Sequence, residues 1–161
     1  MHGVIAIRIA QPADVPQILR YIQALGTYEH LSADVVATEA ALAATLFGER
    51  RYAEVMLAEC DGASAGFALF FHNYSTFLAK PGMYLEDLFV DPSFRQRGVG
   101  KALLQHLARL AVERDCGRLE WSALDWNRLA IDFYLRLGAV ALSEWSIYRL
   151  SGEPLRQLAR T

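Results

Sequence analysis

The chain has little cysteine, few prolines and no long apolar run. Its 161 residues include two cysteines, Cys60 and Cys116, which have no metal-ligand spacing and exclude a disulfide framework. No apolar run approaches the about 20 residues of a membrane-spanning helix. The four histidines are scattered, so no His/Cys/carboxylate cluster indicates a metal site. These absences favour a globular protein with reduced cysteines and no bound metal.

The charge is nearly balanced. Sixteen basic and 18 acidic residues give a net charge of −2, which argues against nucleic acid as the main partner. All basic residues except Lys80 and Lys101 are arginines, a bias that is no evidence of DNA binding. Residues 1–4 lack the basic and apolar regions of a signal peptide. We expect one domain over residues 1–161, a cytoplasmic location, and no nucleic-acid or membrane partner.

Apolar periodicity and turn residues predict alternating strands and helices. Strands are predicted over residues 4–9, 54–60, 64–74, 83–90, 118–124 and 145–150. Helices are predicted over residues 12–26, 38–47, 98–114 and 127–137, with a short one after Pro154. Asp61-Gly62 is a hairpin turn signal, and Lys80-Pro81-Gly82 is expected to interrupt the chain before a strand. This order predicts an α/β fold with a mixed sheet.

The most informative segment is residues 86–100, in which an apolar strand leads through a short turn into an Arg-x-x-Gly-x-Gly loop. The loop opens a long helix, whose first backbone N–H groups are unpaired and suit phosphate binding. Gly98 and Gly100 remove Cβ atoms that would hold a pyrophosphate away. A Walker loop needs glycine at Arg95 and a dinucleotide fingerprint needs it at Leu103, so neither fits. An ordinary strand–turn–helix junction remains the alternative.

The loop resembles the pyrophosphate loop of the GCN5-related N-acetyltransferases (GNAT), which bind acetyl-CoA there. Further segments resemble the diamine acetyltransferase group of that superfamily, which includes the spermidine/spermine and, more similar here, the thialysine acetyltransferases. These segments are Tyr28-Glu29, Thr38-Glu39, Phe47-Gly48, residues 84–87, residues 125–127 and Phe133-Tyr134. The resemblance spans nearly the whole chain and implies a single N-acetyltransferase domain, with a mostly antiparallel mixed sheet flanked by helices. Polyamine-specific members tend to carry aspartate where Ser75 stands, so the chain departs from them there.

Amine acetylation requires a base, because roughly one lysine-like amine in two thousand is unprotonated at pH 7. The resemblance implies that Glu86 binds the ammonium and accepts its proton, directly or through water. Strict strand alternation places Glu86 on one face with Tyr84 and Leu88, and Asp87 on the other. The structural alternative is a strand carboxylate paired with an arginine.

The leaving thiolate requires a proton donor, a role that the resemblance gives to Tyr134. A phenol with a pKa of about 10 suits general acid catalysis toward a thiolate whose conjugate thiol has a pKa of about 8.5. The alternative is a core tyrosine beside Phe133.

The resemblance also implies acetyl-CoA as co-substrate, with no metal. The backbone of Leu88, Phe89 and Val90 would pair with the pantetheine amides as an added strand does. The loop would hold the pyrophosphate through its backbone and basic side chains. Its expected contacts are Arg95, Gln96, Arg97, Gly98, Val99, Gly100 and Lys101, with Asn127, Arg128, Ala130 and Tyr134 following in the next helix. Asn127 also reads as a helix cap, and the two roles are compatible.

Acceptor-lining positions follow from the same resemblance. They are Tyr28, Glu29, Glu86, Glu120, Trp121, Ser122 and Glu144. Glu29 and Glu86 are anions that attract a substrate ammonium. Trp121 and Trp126 offer cation–π contact or core packing, and we favour packing.

These observations favour an acetyl-CoA-dependent N-acetyltransferase that acts on a small primary amine (thialysine-, lysine- or polyamine-like) by direct attack in a ternary complex. An enzyme acting on a protein lysine or N-terminus, and a non-catalytic acyl-CoA-binding module, remain alternatives. The resemblance and the aromatic, apolar residues 145–150 also predict a homodimer.

Overall fold

The computed structural model describes residues 3–160. Five strands form one sheet: β1 (Ile5–Ile9), β2 (Glu54–Cys60), β3 (Ala63–Ser75), β4 (Lys80–Val90) and β5 (Leu119–Trp121). The helices are α1 (Val15–Tyr28), α2 (Glu39–Phe47), α3 (Val99–Glu113), α4 (Arg128–Arg136) and α5 (Gly152–Arg160). Single 3-10 turns occupy Pro12–Asp14, Ser32–Asp34 and Pro92–Phe94.

The sheet has the spatial order β1-β2-β3-β4-β5. The first four strands are antiparallel neighbours, and β5 joins the edge parallel to β4. The prediction of a mixed, mostly antiparallel sheet with flanking helices is therefore confirmed.

Two helical layers cover the sheet because its strands alternate apolar side chains toward both faces. On one face, Ile18 and Tyr21 of α1 and Leu42 of α2 join a buried cluster with Phe67 and Phe89. Residues alternating with that cluster, such as Ala68, point to the opposite face, where α3 contacts the sheet through a buried stripe. The stripe is Val99, Leu103, Leu104, Leu107 and Ala111. The first layer, α1 and α2, borders the candidate site.

Local sequence signals set the predicted helix and turn boundaries. Thr38 caps α2 by accepting a hydrogen bond from the Ala41 backbone, and Gly48 follows the helix. Asp61 and Gly62 take positive φ angles of 51° and 80°, which form the predicted tight turn between β2 and β3. The short C-terminal helix is also present, as α5.

Two predicted boundaries and one predicted strand are wrong. Residues 80–82 belong to β4 rather than preceding it, because Pro81 pairs with Tyr74 of β3 and Gly82 pairs with Asn73 of β3. Strand β5 ends at Trp121 rather than Leu124. Residues 145–150 form no strand, and the Tyr148 side chain is 92% exposed. An apolar run becomes a strand only beside a partner, and no other described segment forms a ladder with this one.

The chain divides between Ser122 and Ala123 into two compact units. The first holds the sheet with α1, α2 and α3, and the second holds α4 and α5. Among the described residues, no helix is long and apolar enough to cross a membrane, and no group of three or more His, Cys, Asp or Glu side chains is placed to hold a metal ion.

The end of α3 is tied to the sheet by a bidentate pair. Arg114 donates hydrogen bonds of 2.6 and 2.9 Å to the two carboxylate oxygens of Glu54, at the start of β2. This hydrogen bonding and the charge of Arg114 lower the pKa of Glu54. A carboxyl whose pKa falls on folding stabilises the folded state above its unfolded pKa of about 4.3 and loses that contribution as the pH falls through the lowered value.

We therefore expect Glu54→Gln to lower the free energy of unfolding by about 1 kcal/mol at pH 7, and by much less at pH 3, because the pair is partly exposed. Urea midpoints at both pH values measure this. Glu49→Gln, which changes an exposed glutamate, serves as the control and should alter the free energy of unfolding little at either pH. Equal losses at both pH values would contradict the electrostatic explanation.

Candidate functional site

A bulge in the middle of β4 defines the candidate site. Leu69 pairs with Asp87 and Phe70 pairs with Leu85, so Glu86 has no partner in the register. The extra residue reverses the alternation beyond it. Asp87 and Phe89 therefore share the α1 face with Tyr84, whereas Leu85 and Leu88 share the α3 face. The predicted face for Asp87 is wrong, because strict alternation does not survive a bulge.

Three carboxylates come together around the bulge. The pKa of Asp87 is raised to about 6, by burial and by the negative charges of Glu86 and Glu29. Burial also raises the pKa of Glu29, which follows the last residue of α1. Glu86 is exposed and forms no ion pair with an arginine in the described part of the chain. The structure thus places Glu29 and Glu86 within electrostatic range of Asp87, a residue that the sequence analysis did not assign to the site.

Strand β4 is unpaired on one side beyond this bulge. Its ladder with β5 covers only Met83, Tyr84 and Leu85. Backbone groups of residues 86–90 therefore have no strand partner on that edge among the described residues, although Phe89 packs its side chain in the core. Such an edge can receive an extended amide chain by strand addition.

The loop after β4 has the conformation of an anion site. Gly98 is the N-cap of α3, with a left-handed φ of 87° and no side-chain cap. A Cβ at Gly98 would have the Ile5 side chain as its nearest neighbour, at 3.8 Å, so the surface above this backbone is open. The first N–H groups of α3 are thus available, and the loop fits a pyrophosphate.

The two arginines of this loop take different directions. The Arg97 guanidinium lies 5.5 Å from the centre of the Phe94 ring. The Arg95 guanidinium lies 4.9 Å from the Tyr28 ring centre and 5.7 Å from that of Phe89, so it faces α1. Its Nε donates a 3.1 Å hydrogen bond to the Val90 carbonyl.

Polar residues continue from the bulge along the α1 face toward β5. The Tyr84 hydroxyl and Ser122 Oγ are 2.8 Å apart, and Glu120 pairs with Tyr84 in the register. The Nη1 atom of Arg118 lies 3.8 Å from the Oε1 atom of Glu120. Trp121 is half-buried and lies outside the buried core, as does the 49% exposed Trp126, so the expected core packing of both tryptophans is wrong.

Ser75, where the chain departs from the polyamine-specific enzymes, is buried at the end of β3. Its Oγ accepts hydrogen bonds of 2.8 Å from Arg118 and 3.2 Å from the Leu78 backbone. A guanidinium therefore stands at this position, and a second cation would be unfavourable beside it.

The second unit carries the remaining predicted residues. Asn127 caps α4 by accepting a 3.4 Å hydrogen bond from the backbone of Ala130. Tyr134 is half-buried two turns after the cap, with its ring centre 5.6 Å from that of Phe133. Glu144 lies exposed in a turn. No measurement tests the catalytic and binding roles assigned to these residues, and they stay predictions.

Comparison with known proteins identifies the family of the chain. Residues 19–139 match the sequence model of the acetyltransferase (GNAT) family. Thialysine N-epsilon-acetyltransferase of Bos taurus is 37% identical over 166 residues, covering 96% of this chain and 97% of the relative. L-ornithine N5-acetyltransferase NATA1 of Arabidopsis thaliana is 36% identical over 197 residues, covering 94% and 86%.

A solved structure shows the same fold. An integron cassette protein from the mobile metagenome of V. cholerae superposes with a TM-score of 0.82 at 30% identity, covering 100% of this chain and 99% of that chain. The chain belongs to the GNAT family of acetyltransferases and is an N-acetyltransferase. The resemblance to the diamine acetyltransferase group is confirmed as well, since the thialysine and ornithine enzymes fit that group.

The raised pKa of Asp87 should make the free energy of unfolding depend on pH. Its pKa is higher in the folded state than the unfolded value of about 3.9, so its ionisation between pH 4 and 7 destabilises the fold. We expect Asp87→Asn to raise the free energy of unfolding by about 1–2 kcal/mol at pH 7.5 and to change it little at pH 4.

Urea unfolding at both pH values measures the effect of Asp87→Asn. Asp132→Asn, at an exposed position on α4, is the matched control and should stay within about 0.5 kcal/mol of the parent protein. A stability loss in Asp87→Asn at pH 7.5 would mean that the carboxylate is stabilised by neighbours rather than strained by them.

Proposed function

We propose that this enzyme transfers the acetyl group of acetyl-CoA to a primary amine of a small molecule, with a thialysine- or ornithine-like diamino acid as the acceptor. The observation that carries the proposal is the set of three carboxylates at the β4 bulge, beside an unpaired strand edge. Burial and the negative charges of Glu86 and Glu29 raise the Asp87 pKa, and a primary ammonium bound there would offset both effects. The names of the two curated relatives support the same acceptor class.

The first unit offers acetyl-CoA two matching surfaces. Backbone N–H groups from Gln96 to Lys101 would hold the pyrophosphate, with Arg97 adding charge. The β4 edge at Leu88 would pair with the pantetheine amides, whereas the Val90 carbonyl already accepts a hydrogen bond from Arg95. When bound, acetyl-CoA would supply an acetyl thioester as the acyl donor.

In the proposed reaction, Asp87 and Glu29 hold the acceptor ammonium, and Glu86 removes one of its protons, directly or through water. The free amine attacks in a ternary complex, so its nitrogen bonds to the acetyl carbon as the carbon–sulfur bond breaks. The nitrogen then loses its second proton to water, and Glu86 passes the first proton to solvent. Tyr134, assigned through the family resemblance, protonates the sulfur and regains a proton from solvent. One proton is released overall.

The acceptor is expected to be compact rather than a long polyamine. The negative charges of Glu29 and Glu86 both act on Asp87, and this concentration of charge suits one ammonium. Farther along that face, the Arg118 guanidinium donates a hydrogen bond to Ser75 and lies near Glu120. Its positive charge would repel the second ammonium of a long polyamine. A homodimer, expected from the family resemblance and from residues 145–150, and a cytoplasmic location, expected from the sequence, remain part of the proposal.

We predict that Gly98→Asp weakens acetyl-CoA binding at least tenfold, because it adds an anion and bulk beside the pyrophosphate, equal to about 1.4 kcal/mol or more. Titration calorimetry with acetyl-CoA measures the affinity. Gly62→Asp is the matched control, because Gly62 also has a positive φ and no atom within 4 Å of an added Cβ. Equal affinities in the two folded variants would exclude this loop as the pyrophosphate site.

The acceptor is tested by the release of free thiol from acetyl-CoA with a panel of amines. The panel contains thialysine, ornithine, lysine, spermidine and a peptide with a free N-terminus. We expect the highest kcat/KM with a diamino acid. A preference for the peptide or for spermidine would contradict the proposed acceptor, and no turnover with any amine would favour an acyl-CoA-binding module.

With the best amine, Glu86→Gln should lower kcat roughly 10²-fold with little effect on acetyl-CoA affinity, and high pH should partly restore the rate. Tyr134→Phe should also lower kcat, with little recovery at high pH. Normal turnover in either folded variant would remove that residue from the mechanism. A normal Glu86→Gln together with a slow Asp87→Asn would give the base to Asp87.

A further inference from the structure

Two opposite charges lie at β5, beside the carboxylates of the bulge. Arg118 immediately precedes β5 and Glu120 is its middle residue, so the two side chains share one face. Glu120 pairs with Tyr84 in the register, which places both charges on the α1 face together with Asp87. All four residues belong to the first unit. The reaction proposed above gives neither charge a contact with the acceptor.

The Arg118 guanidinium is held in place by a buried hydroxyl rather than by the neighbouring carboxylate. Its Nη2 atom donates a 2.8 Å hydrogen bond to Oγ of Ser75, a residue that is 6% exposed. Its Nη1 atom lies 3.8 Å from Oε1 of Glu120, a separation longer than a hydrogen bond. The Arg118 and Glu120 side chains are 43% and 29% exposed. A ligand with one charge of each sign can therefore reach both side chains without breaking a hydrogen bond between them.

The distance from Glu120 to Asp87 matches the length of a short diamine. Because Glu86 is an extra residue in the bulge, Asp87 lies two strand positions beyond Tyr84, or about 7 Å along β4. Glu120 lies beside Tyr84 on the neighbouring strand, about 4.8 Å away, so the backbones at Glu120 and Asp87 are about 8 Å apart. The two nitrogens of extended ornithine are about 6 Å apart, since the bonds that connect them are about 1.5 Å each. With a hydrogen bond of about 2.9 Å at each end, one molecule can reach both carboxylates.

We propose that Glu120 and Arg118 bind the α-amino acid end of the acceptor, with Glu120 accepting hydrogen bonds from the α-ammonium and Arg118 donating to the α-carboxylate. This assignment rests on the proposed function, in which the side-chain ammonium of the acceptor lies at Asp87. A zwitterion carries a cation and an anion on one carbon atom, which suits a carboxylate and a guanidinium 3.8 Å apart. A diamine of the same length offers Arg118 no anion and places a second cation beside it. The pair therefore favours a diamino acid over the corresponding diamine.

The test compares kcat/KM for ornithine with kcat/KM for 1,4-diaminobutane, which is ornithine without its carboxylate, and measures KM for acetyl-CoA in parallel. The parent enzyme should prefer ornithine at least tenfold. In Arg118→Gln, the ratio of ornithine to 1,4-diaminobutane should fall at least tenfold, because a charge-assisted hydrogen bond is lost. The loss should lie in KM for ornithine rather than in kcat, because the pair binds the end of the acceptor that is remote from the reacting nitrogen.

Further variants separate the two charges from each other and from folding. Glu120→Gln should lower kcat/KM severalfold for both amines, because both place an ammonium there. Arg118→Lys keeps the charge but loses the planar fork, so it should lower the ratio by a smaller factor, about threefold. It decides the test if Arg118→Gln does not fold. Arg109→Gln is the matched control and should leave the ratio unchanged, because Arg109 is exposed on α3, which covers the opposite face of the sheet.

An unchanged ratio in the folded Arg118 variants would overturn the proposal, as would unchanged kcat/KM for both amines in Glu120→Gln. A tenfold rise in KM for acetyl-CoA at a constant ratio in Arg118→Gln would also overturn it and assign Arg118 to a cofactor phosphate. A parent enzyme that uses 1,4-diaminobutane as well as ornithine would overturn this assignment but support acetylation of a small amine. If the parent enzyme acetylates other amines but neither of these two, the proposed acceptor fails and this assignment fails with it.

Discussion

The β4 bulge is the constraint on which the candidate site depends. One unpaired residue, Glu86, reverses the faces of the strand and turns Asp87 toward α1, where Glu29 lies. The same strand loses its β5 partner after Leu85, so the bulge and the unpaired edge occur together. A regular β4 would place Asp87 on the α3 face. Register thus decides which carboxylate belongs to the site.

Placing three carboxylates together works against folding. Asp87 bears most of this cost, because burial and two neighbouring anions disfavour its ionised form. A bound ammonium would reverse the sign of the interaction, so electrostatic strain in the free enzyme becomes affinity for a cation. The buried cluster between α1 and the sheet offsets the cost in stability.

In the loop between β4 and α3, backbone N–H groups rather than side chains provide the hydrogen-bond donors for an anion. Gly98 leaves the start of α3 without a side-chain cap and with open space above it, so the sequence pattern and the geometry agree. Arg95 belongs to the same motif by sequence, but its guanidinium faces α1 through contacts with Tyr28 and Phe89. A loop motif therefore does not specify what each of its side chains contacts.

Short-range signals in the sequence determined most helices, the Asp61-Gly62 turn and the glycine loop, because caps, turns and positive φ angles depend on residues a few positions apart. The family resemblance, carried by motifs along the chain, indicated the acetyltransferase class. Long-range pairing decided the rest: β4 extends back to Lys80, β5 stops at Trp121, and residues 145–150 form no strand. The position of Asp87 on the α1 face also appeared only in three dimensions. It depends on a strand register, which the tertiary contacts of distant segments set and which no local pattern contains.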